Sequence, residues 1–297
     1  MSVRRRHPLN HPWMYRGGVA LVRHLPRRFN RTWARWLADL NFWRLRESRE
    51  AVCANLEPLL GPDRRTLRAA TRRLFRNYAE QLVDYAYFFG GGGRPAEGFF
   101  TRAEGYEHLE AARLAGRGVI LATAHLGFWE LGGLLFRQWG HPVHVLTLED
   151  PDPGVHEERL RIRTHLGIRS ITVSKDPWSS LAVGRALREG ALVAMLVDRY
   201  AGPDPVSVAL FGRRTRFAPG PALFARMTGA AVVPSFVLAD GRGGYRGLIL
   251  PPVPMEFSRD RETDLRENAQ RLADATGGVI AEYPDQWFNF ALIWSET

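Results

Sequence analysis

The chain has 297 residues, 41 Lys and Arg against 31 Asp and Glu, and a formal charge of +10. Hydrophobic residues make up 45% and charged residues 24%. That composition excludes a disordered chain, a collagen-like fibre and a disulfide-stapled peptide. Cys53 is the sole cysteine, so neither an intrachain disulfide nor a Cys-based zinc site is expected.

The charge is concentrated at the start of the chain. Residues 1–50 hold twelve arginines against Asp39, Glu47 and Glu50, leaving the remainder close to neutral. A basic arm of this kind suits an anionic surface, either lipid or nucleic acid. After Arg4–Arg6 the only early apolar run, Val19–Val22, is too short for a secretory signal. No stretch approaches the roughly 18 apolar residues of a spanning helix. From Trp33 onward the apolar residues Trp33, Trp36, Leu37, Leu40 and Trp43 recur at helical spacing, with Arg35, Arg44 and Arg46 off the stripe. Tryptophan and arginine on one amphipathic helix are the composition of an interfacial membrane anchor, although the same stripe could pack on the protein's own core. Because the aromatics keep helical spacing and no recognition fold follows, nucleic acid is not the expected partner.

Residues 47–89 read as two further helices, parted by Gly61-Pro62. Gly90–Gly93 and Pro95 then mark a boundary between a helical, basic region over 1–95 and a second region over 96–297. In that second region short apolar runs alternate with helical segments. Strands are predicted over 118–124, 142–148, 169–173, 191–197, 206–211, 230–239 and 245–250. Helices are predicted over 126–139, 154–166, 178–189, 219–227 and 264–282. The alternation predicts an α/β fold, a mixed and mostly parallel central sheet covered by helices, preceded by the amphipathic helical segment. Ligands of such folds gather at the carboxyl ends of the strands.

Several chemistries are excluded by motif. The chain has no G-x-S-x-G elbow, no phosphate-binding G-x-x-x-x-G-K loop, no G-x-G-x-x-G after a strand and no H-E-x-x-H. His141 and His144 have no obvious third ligand and read as packed or surface histidines. One constellation remains, Ile120-Leu-Ala-Thr-Ala-His125-Leu-Gly-Phe-Trp-Glu130. A strand runs into His125 and a helix is predicted from about Gly127. On a continuous helix His125 and Glu130 would point about 140° apart. With His125 in the turn before the helix, its ring could fold back so that Glu130 holds one ring nitrogen. The other nitrogen could then take a proton from a hydroxyl or amine. This is the base and orienter of a triad without a protein nucleophile.

The segment ATAHLGFWELGG resembles the H-x4-D/E motif of glycerolipid-type acyltransferases. The wider chain is similar to bacterial lipid A late acyltransferases, the lauroyl and myristoyl transferases, and to mycobacterial phosphatidylinositol mannoside acyltransferases. The resemblance also rests on Ala54–Gly61, Arg161-Ile-Arg163 ahead of Gly167, Leu196-Val-Asp198-Arg199, Phe211–Pro221, Thr228–Pro234 and Tyr283–Trp287. It implies His125 as general base and Glu130 as the orienting carboxylate. It implies a fatty acyl thioester donor on acyl carrier protein or coenzyme A, a lipid or glycolipid acceptor, and no further cofactor or metal. Arg163, Asp198 and Arg199 match substrate-binding positions, and the expected location is the cytoplasmic side of the inner membrane, held peripherally. Phe217-Ala-Pro-Gly220 lacks the acid that meets glycerol phosphate in the broader group, which argues against glycerol 3-phosphate or lysophosphatidate as acceptor. The Gln286-Trp-Phe-Asn-Phe ending also departs from the lipid A enzymes. Two other readings compete: a lipid or thioester hydrolase in which His125 activates water, and a non-catalytic protein whose basic arm binds an anionic surface or nucleic acid.

Overall fold

The computed structural model describes residues 22, 25–89, 99–148, 153–165, 167–173, 178–199 and 204–295. The expected boundary at Gly90–Pro95 and most of the basic arm before Arg27 lie outside these residues.

Three helices come first: α1 (Arg27–Arg44), α2 (Arg46–Leu60) and α3 (Arg64–Phe89). The α/β part follows as β1 (Phe100–Glu104), α4 (Tyr106–Leu114), β2 (Val119–Thr123), α5 (Trp129–Gln138), β3 (Val143–Leu148), α6 (Pro153–His165), β4 (Arg169–Val173), α7 (Trp178–Arg188) and β5 (Leu192–Leu196). A hairpin of β6 (Val206–Leu210) and β7 (Arg213–Phe217) leads to α8 (Gly220–Thr228), β8 (Ala231–Ala239), β9 (Tyr245–Ile249) and α9 (Arg261–Glu282). The seven-stranded sheet has the order β1-β9-β8-β2-β5-β3-β4. β8, β2, β5, β3 and β4 are mutually parallel, and β9 joins β8 antiparallel with β1 beside it. The mixed, mostly parallel sheet is the one expected.

The central strands are continuous apolar runs because helices cover both faces. Val119, Ile120, Leu121 and Ala122 of β2 are buried, as are Leu192, Val193 and Met195 of β5. The same core takes in Phe42, Leu56 and Leu74 from α1, α2 and α3, so the helical region packs onto the sheet layer. The strand β1 and helix α4 were not anticipated. Arg102 and Glu104 give β1 the polarity of a loop, and it survives as an edge strand paired with β9. The last helix starts at Arg261, three residues early, because Asp260 accepts from the backbone N–H groups of Glu262 and Thr263.

The apolar stripe of α1 faces outward. Its buried residues are Asn30, Ala34, Ala38 and Phe42. Trp33, Trp36, Leu37, Leu40 and Trp43 are all more than half exposed, Trp36 to 73%. The helix is held on α3 by charge instead. Arg27 forks onto Asp84 at 2.6 and 2.7 Å and donates to the carbonyl of Gly243. Arg31 and Arg35 pair with Glu80, and the Tyr245 hydroxyl donates to Asp84. Asp39 accepts from Arg72 and Arg76, whose hydrogen bonds hold its carboxyl well below the usual carboxylate range. Several arginines of the basic arm are thus spent inward on this latch. No helix among the described residues is long and apolar enough to cross a membrane.

Candidate active site at the ends of β2 and β5

β2 and β5 are adjacent parallel strands with Thr123 opposite Leu196. The register continues past the strand ends, where Val197 N–H donates to the carbonyl of Thr123. Two residues on, His125 and Asp198 stand opposite each other. They are 73 positions apart in sequence and meet only because the sheet aligns them.

Asp198 is fully buried and accepts four hydrogen bonds. Its Oδ1 takes the backbone N–H of His125 at 3.0 Å and meets ring Nδ1 at 2.8 Å. Its Oδ2 takes the indole N–H of Trp287 at 2.8 Å and the amide of Asn289 at 2.9 Å. Burial alone would raise the carboxyl, but the facing His125 and these donors outweigh it and hold Asp198 well below the usual range. On the far side of the ring, Arg199 Nη2 lies 3.1 Å from His125 Nε2. A guanidinium can only donate, so Nε2 is the accepting nitrogen and the ring proton sits on Nδ1, facing Asp198. Trp129 lies edge-on to the ring, with centroids 5.3 Å apart.

Glu130 is placed differently from the expectation. The carboxylate on the His125 ring is Asp198, whereas Glu130 Oε1 takes Arg163 Nη2 at 3.1 Å. The cause is the segment between strand and helix. The helix was expected from about Gly127, but α5 begins only at Trp129. Leu126 bridges Trp287 and Gly127 bridges Val237, so the chain bends at His125 and is held by two isolated bridges before the helix begins. His125 sits at that bend with its ring turned to Asp198, and does not fold back over the first helical turn to Glu130. Gly127 permits the bridge: its φ is +60°, and a Cβ there would meet the Val237 carbonyl oxygen at 2.1 Å. Arg163, nearly buried on α6, is the ion partner of Glu130 beside this segment.

Trp287 and Asn289 were missed as site residues. They follow a short 3-10 turn, Pro284–Gln286, that closes α9. A visible signal was the Gln-Trp-Phe-Asn-Phe segment itself, in which side-chain donors alternate with phenylalanines. That alternation sends Trp287 and Asn289 to Asp198, while Phe288 and Phe290 meet the ring of Tyr78 on α3 at 5.3 and 4.8 Å. Gln286 fixes the turn by bonding both backbone groups of Ala239. Burial pushes the Tyr78 hydroxyl pKa up. Among the described residues no hydroxyl or thiol bonds His125, and the thiol of Cys53 is paired with Thr71 on α3. His141 is a packed histidine, bonded to the Tyr106 hydroxyl and 3.0 Å from Glu110.

Residues 1–295 match the family described as bacterial lipid A biosynthesis acyltransferase. The chain belongs to that family. It is also similar to a phosphatidylinositol mannoside acyltransferase of Mycobacterium tuberculosis, 30% identical over 195 residues. The corresponding protein of Mycolicibacterium smegmatis is 28% identical over 192 residues. The first match covers 64% of this chain and 58% of the relative, the second 63% and 60%. Matched segments thus span about three fifths of either relative, whereas the family match runs nearly end to end.

Proposed function

We propose that this family member transfers a fatty acyl chain from an acyl thioester, on acyl carrier protein or coenzyme A, to a hydroxyl or amine of a lipid or glycolipid acceptor. The observation that carries the reading is the array Asp198–His125 with an accepting Nε2 and, among the described residues, no hydroxyl or thiol bonded to the ring. A histidine so held is a base for a nucleophile that arrives with the substrate. Nε2 takes the proton of the acceptor O–H or N–H as its oxygen or nitrogen attacks the thioester carbonyl. The C–S bond breaks from the tetrahedral intermediate, and the proton passes from His125 to the departing thiolate. Asp198 keeps the ring proton on Nδ1 and stabilises the imidazolium that forms between the two transfers. Glu130 and Arg163 form a charge pair at the start of α5, and the Arg199 guanidinium lies 3.1 Å from the reacting Nε2.

The test is a thiol-release assay with acyl thioester and vesicles carrying a glycolipid acceptor, followed by mass spectrometry of the lipids. Thiol release that depends on acceptor, with one acylated lipid formed per thiol, is expected. Free fatty acid without acylated lipid would assign the site to hydrolysis instead.

Membrane attachment through α1 belongs to the same proposal. Its five exposed apolar residues lie outside the core, and the helix is already anchored to α3 by ion pairs. An outward apolar ridge on a latched helix is suited to lie in the headgroup region on the cytoplasmic side of the inner membrane. Burying the exposed part of one tryptophan is worth about 2 kcal/mol. The double variant Trp36→Ala/Trp43→Ala is therefore expected to weaken co-sedimentation with anionic vesicles at least about a hundred-fold, with the thermal midpoint unchanged. Unchanged vesicle binding would remove α1 as the anchor.

A further inference from the structure

A cavity of about 390 Å³ adjoins Asp198 and Arg199, the two residues that bond the His125 ring, and is lined further by Thr215, Arg216, Leu292 and Trp294. Its size lies in the range of small-molecule sites, roughly 300–1,000 Å³. Its walls are built rather than incidental. Thr215 of β7 bridges Trp294 and donates its hydroxyl to the carbonyl of Ile293 at 2.7 Å. Ser295 N–H donates to the carbonyl of Arg214. The tail carrying Trp294 is clamped in turn by α2, through the Trp294 indole to the Ala54 carbonyl and through Asn55 to the backbone of Asn289, Ala291 and Ile293.

The charge inside this frame is unbalanced. On the hairpin, Arg213 is paired with Glu57 at 2.7 Å. Among the described residues no carboxylate pairs with Arg216 or Arg199. Asp198 also reaches the cavity wall, but its two oxygens are saturated by four donors and it is fully buried. Among the described residues Arg199 is engaged by the accepting Nε2 of the His125 ring. An anion binds a guanidinium more strongly than an uncharged imidazole nitrogen does, and a phosphate matches its planar fork.

We propose that this cavity is an anion subsite in which Arg199 and Arg216 together hold a phosphate ester group of one of the two substrates, next to the reacting centre. Two sources share that chemistry, the phosphate of a coenzyme A or carrier-protein thioester and the phosphate of a lipid headgroup. The source rests on the acyltransferase reading, whereas the binding itself does not. Arg216 is an exposed residue of a hairpin strand, and replacing it leaves Thr215 and the bridge to Trp294 in place.

Isothermal titration of the full chain with inorganic pyrophosphate at constant ionic strength is the first measurement. Binding at least about ten-fold weaker in Arg216→Ala, and intermediate in Arg216→Lys, is expected. Absent binding by the wild type, or equal binding by all three proteins, would overturn the subsite. The second measurement is the KM of wild type and Arg216→Ala for acyl coenzyme A, for the phosphate-free S-acyl N-acetylcysteamine, and for acceptor lipids with and without phosphate. A rise confined to acyl coenzyme A assigns the subsite to the donor, and a rise confined to the phosphorylated acceptor assigns it to the lipid. No change for any of them overturns it as a substrate subsite. Arg216-dependent pyrophosphate binding in a protein that transfers no acyl group would leave the subsite standing and reject the acyltransferase reading alone.

Discussion

His125→Ala is expected to lower acyl transfer by roughly a thousand-fold while the protein remains folded, because proton transfer by a positioned base contributes about 10²–10⁴-fold. The ring is bonded by Asp198 on one side and Arg199 on the other, and among the described residues no second base stands in the same place. Truncation takes one of four donors from a buried carboxylate, which costs about 1–3 kcal/mol. The large buried core on either side of the sheet can absorb that loss. His125→Gln restores a donor to Asp198 without an accepting nitrogen of similar basicity, and its activity should be as low with better stability. Acceptor-dependent thiol release, with the thermal midpoint read alongside, checks both variants. Full turnover in either would remove His125 as the base.

The second large effect is expected at Asp198, and it separates the two carboxylates. Asp198 faces donors on both oxygens: two from His125 on one side, Trp287 and Asn289 on the other. In Asp198→Asn the new amide must turn its NH2 toward one of these pairs. Facing His125 it meets the Nδ1 proton and drives the ring to the wrong tautomer. Facing Trp287 and Asn289 it leaves buried donors unpaired. The first outcome is severe in related base–carboxylate systems, about 10⁴-fold, and the second costs about 1–3 kcal/mol for each unpaired group. Glu130→Gln keeps the Asp198–His125 bonds and weakens only the pair with Arg163, so a loss of at most about a hundred-fold is expected. Measuring kcat for both variants decides the matter: a larger loss in Glu130→Gln would return the orienting role to Glu130.

The lowered Asp198 carboxyl also has a pH consequence. A carboxylate whose folded pKa lies below its unfolded value, about 3.9, stabilises the fold above that value and loses the contribution as pH falls toward the folded one. The site should therefore resist mild acid and fail only with the acid unfolding of the core.

The α/β alternation and the positions of most strands were legible because buried parallel strands leave uninterrupted apolar runs. β2 and β5 are the clearest cases. The polar edge strand β1 carried no such run. The position of the candidate base was legible too, since His125 follows directly on an apolar strand. Its partner was not. Local spacing offered Glu130, five residues on, and the bend at His125 with the bridges at Leu126 and Gly127 turns the ring to Asp198 instead.

By itself the sequence determined the family, the layered fold, the histidine at the end of a strand and a basic helix with a tryptophan stripe. Only the tertiary structure decided which carboxylate holds the His125 ring and which way the stripe faces. Asp198 reaches His125 through the register of two strands far apart in the chain, and Trp287 and Asn289 reach Asp198 from the far end of it. The stripe faces outward because Arg27, Arg31 and Arg35 are bound to Asp84 and Glu80, turning the small residues Ala34 and Ala38 inward. Helical periodicity shows that one face differs from the other. The ion pairs that settle which face is buried join residues about fifty positions apart, and no local pattern encodes them.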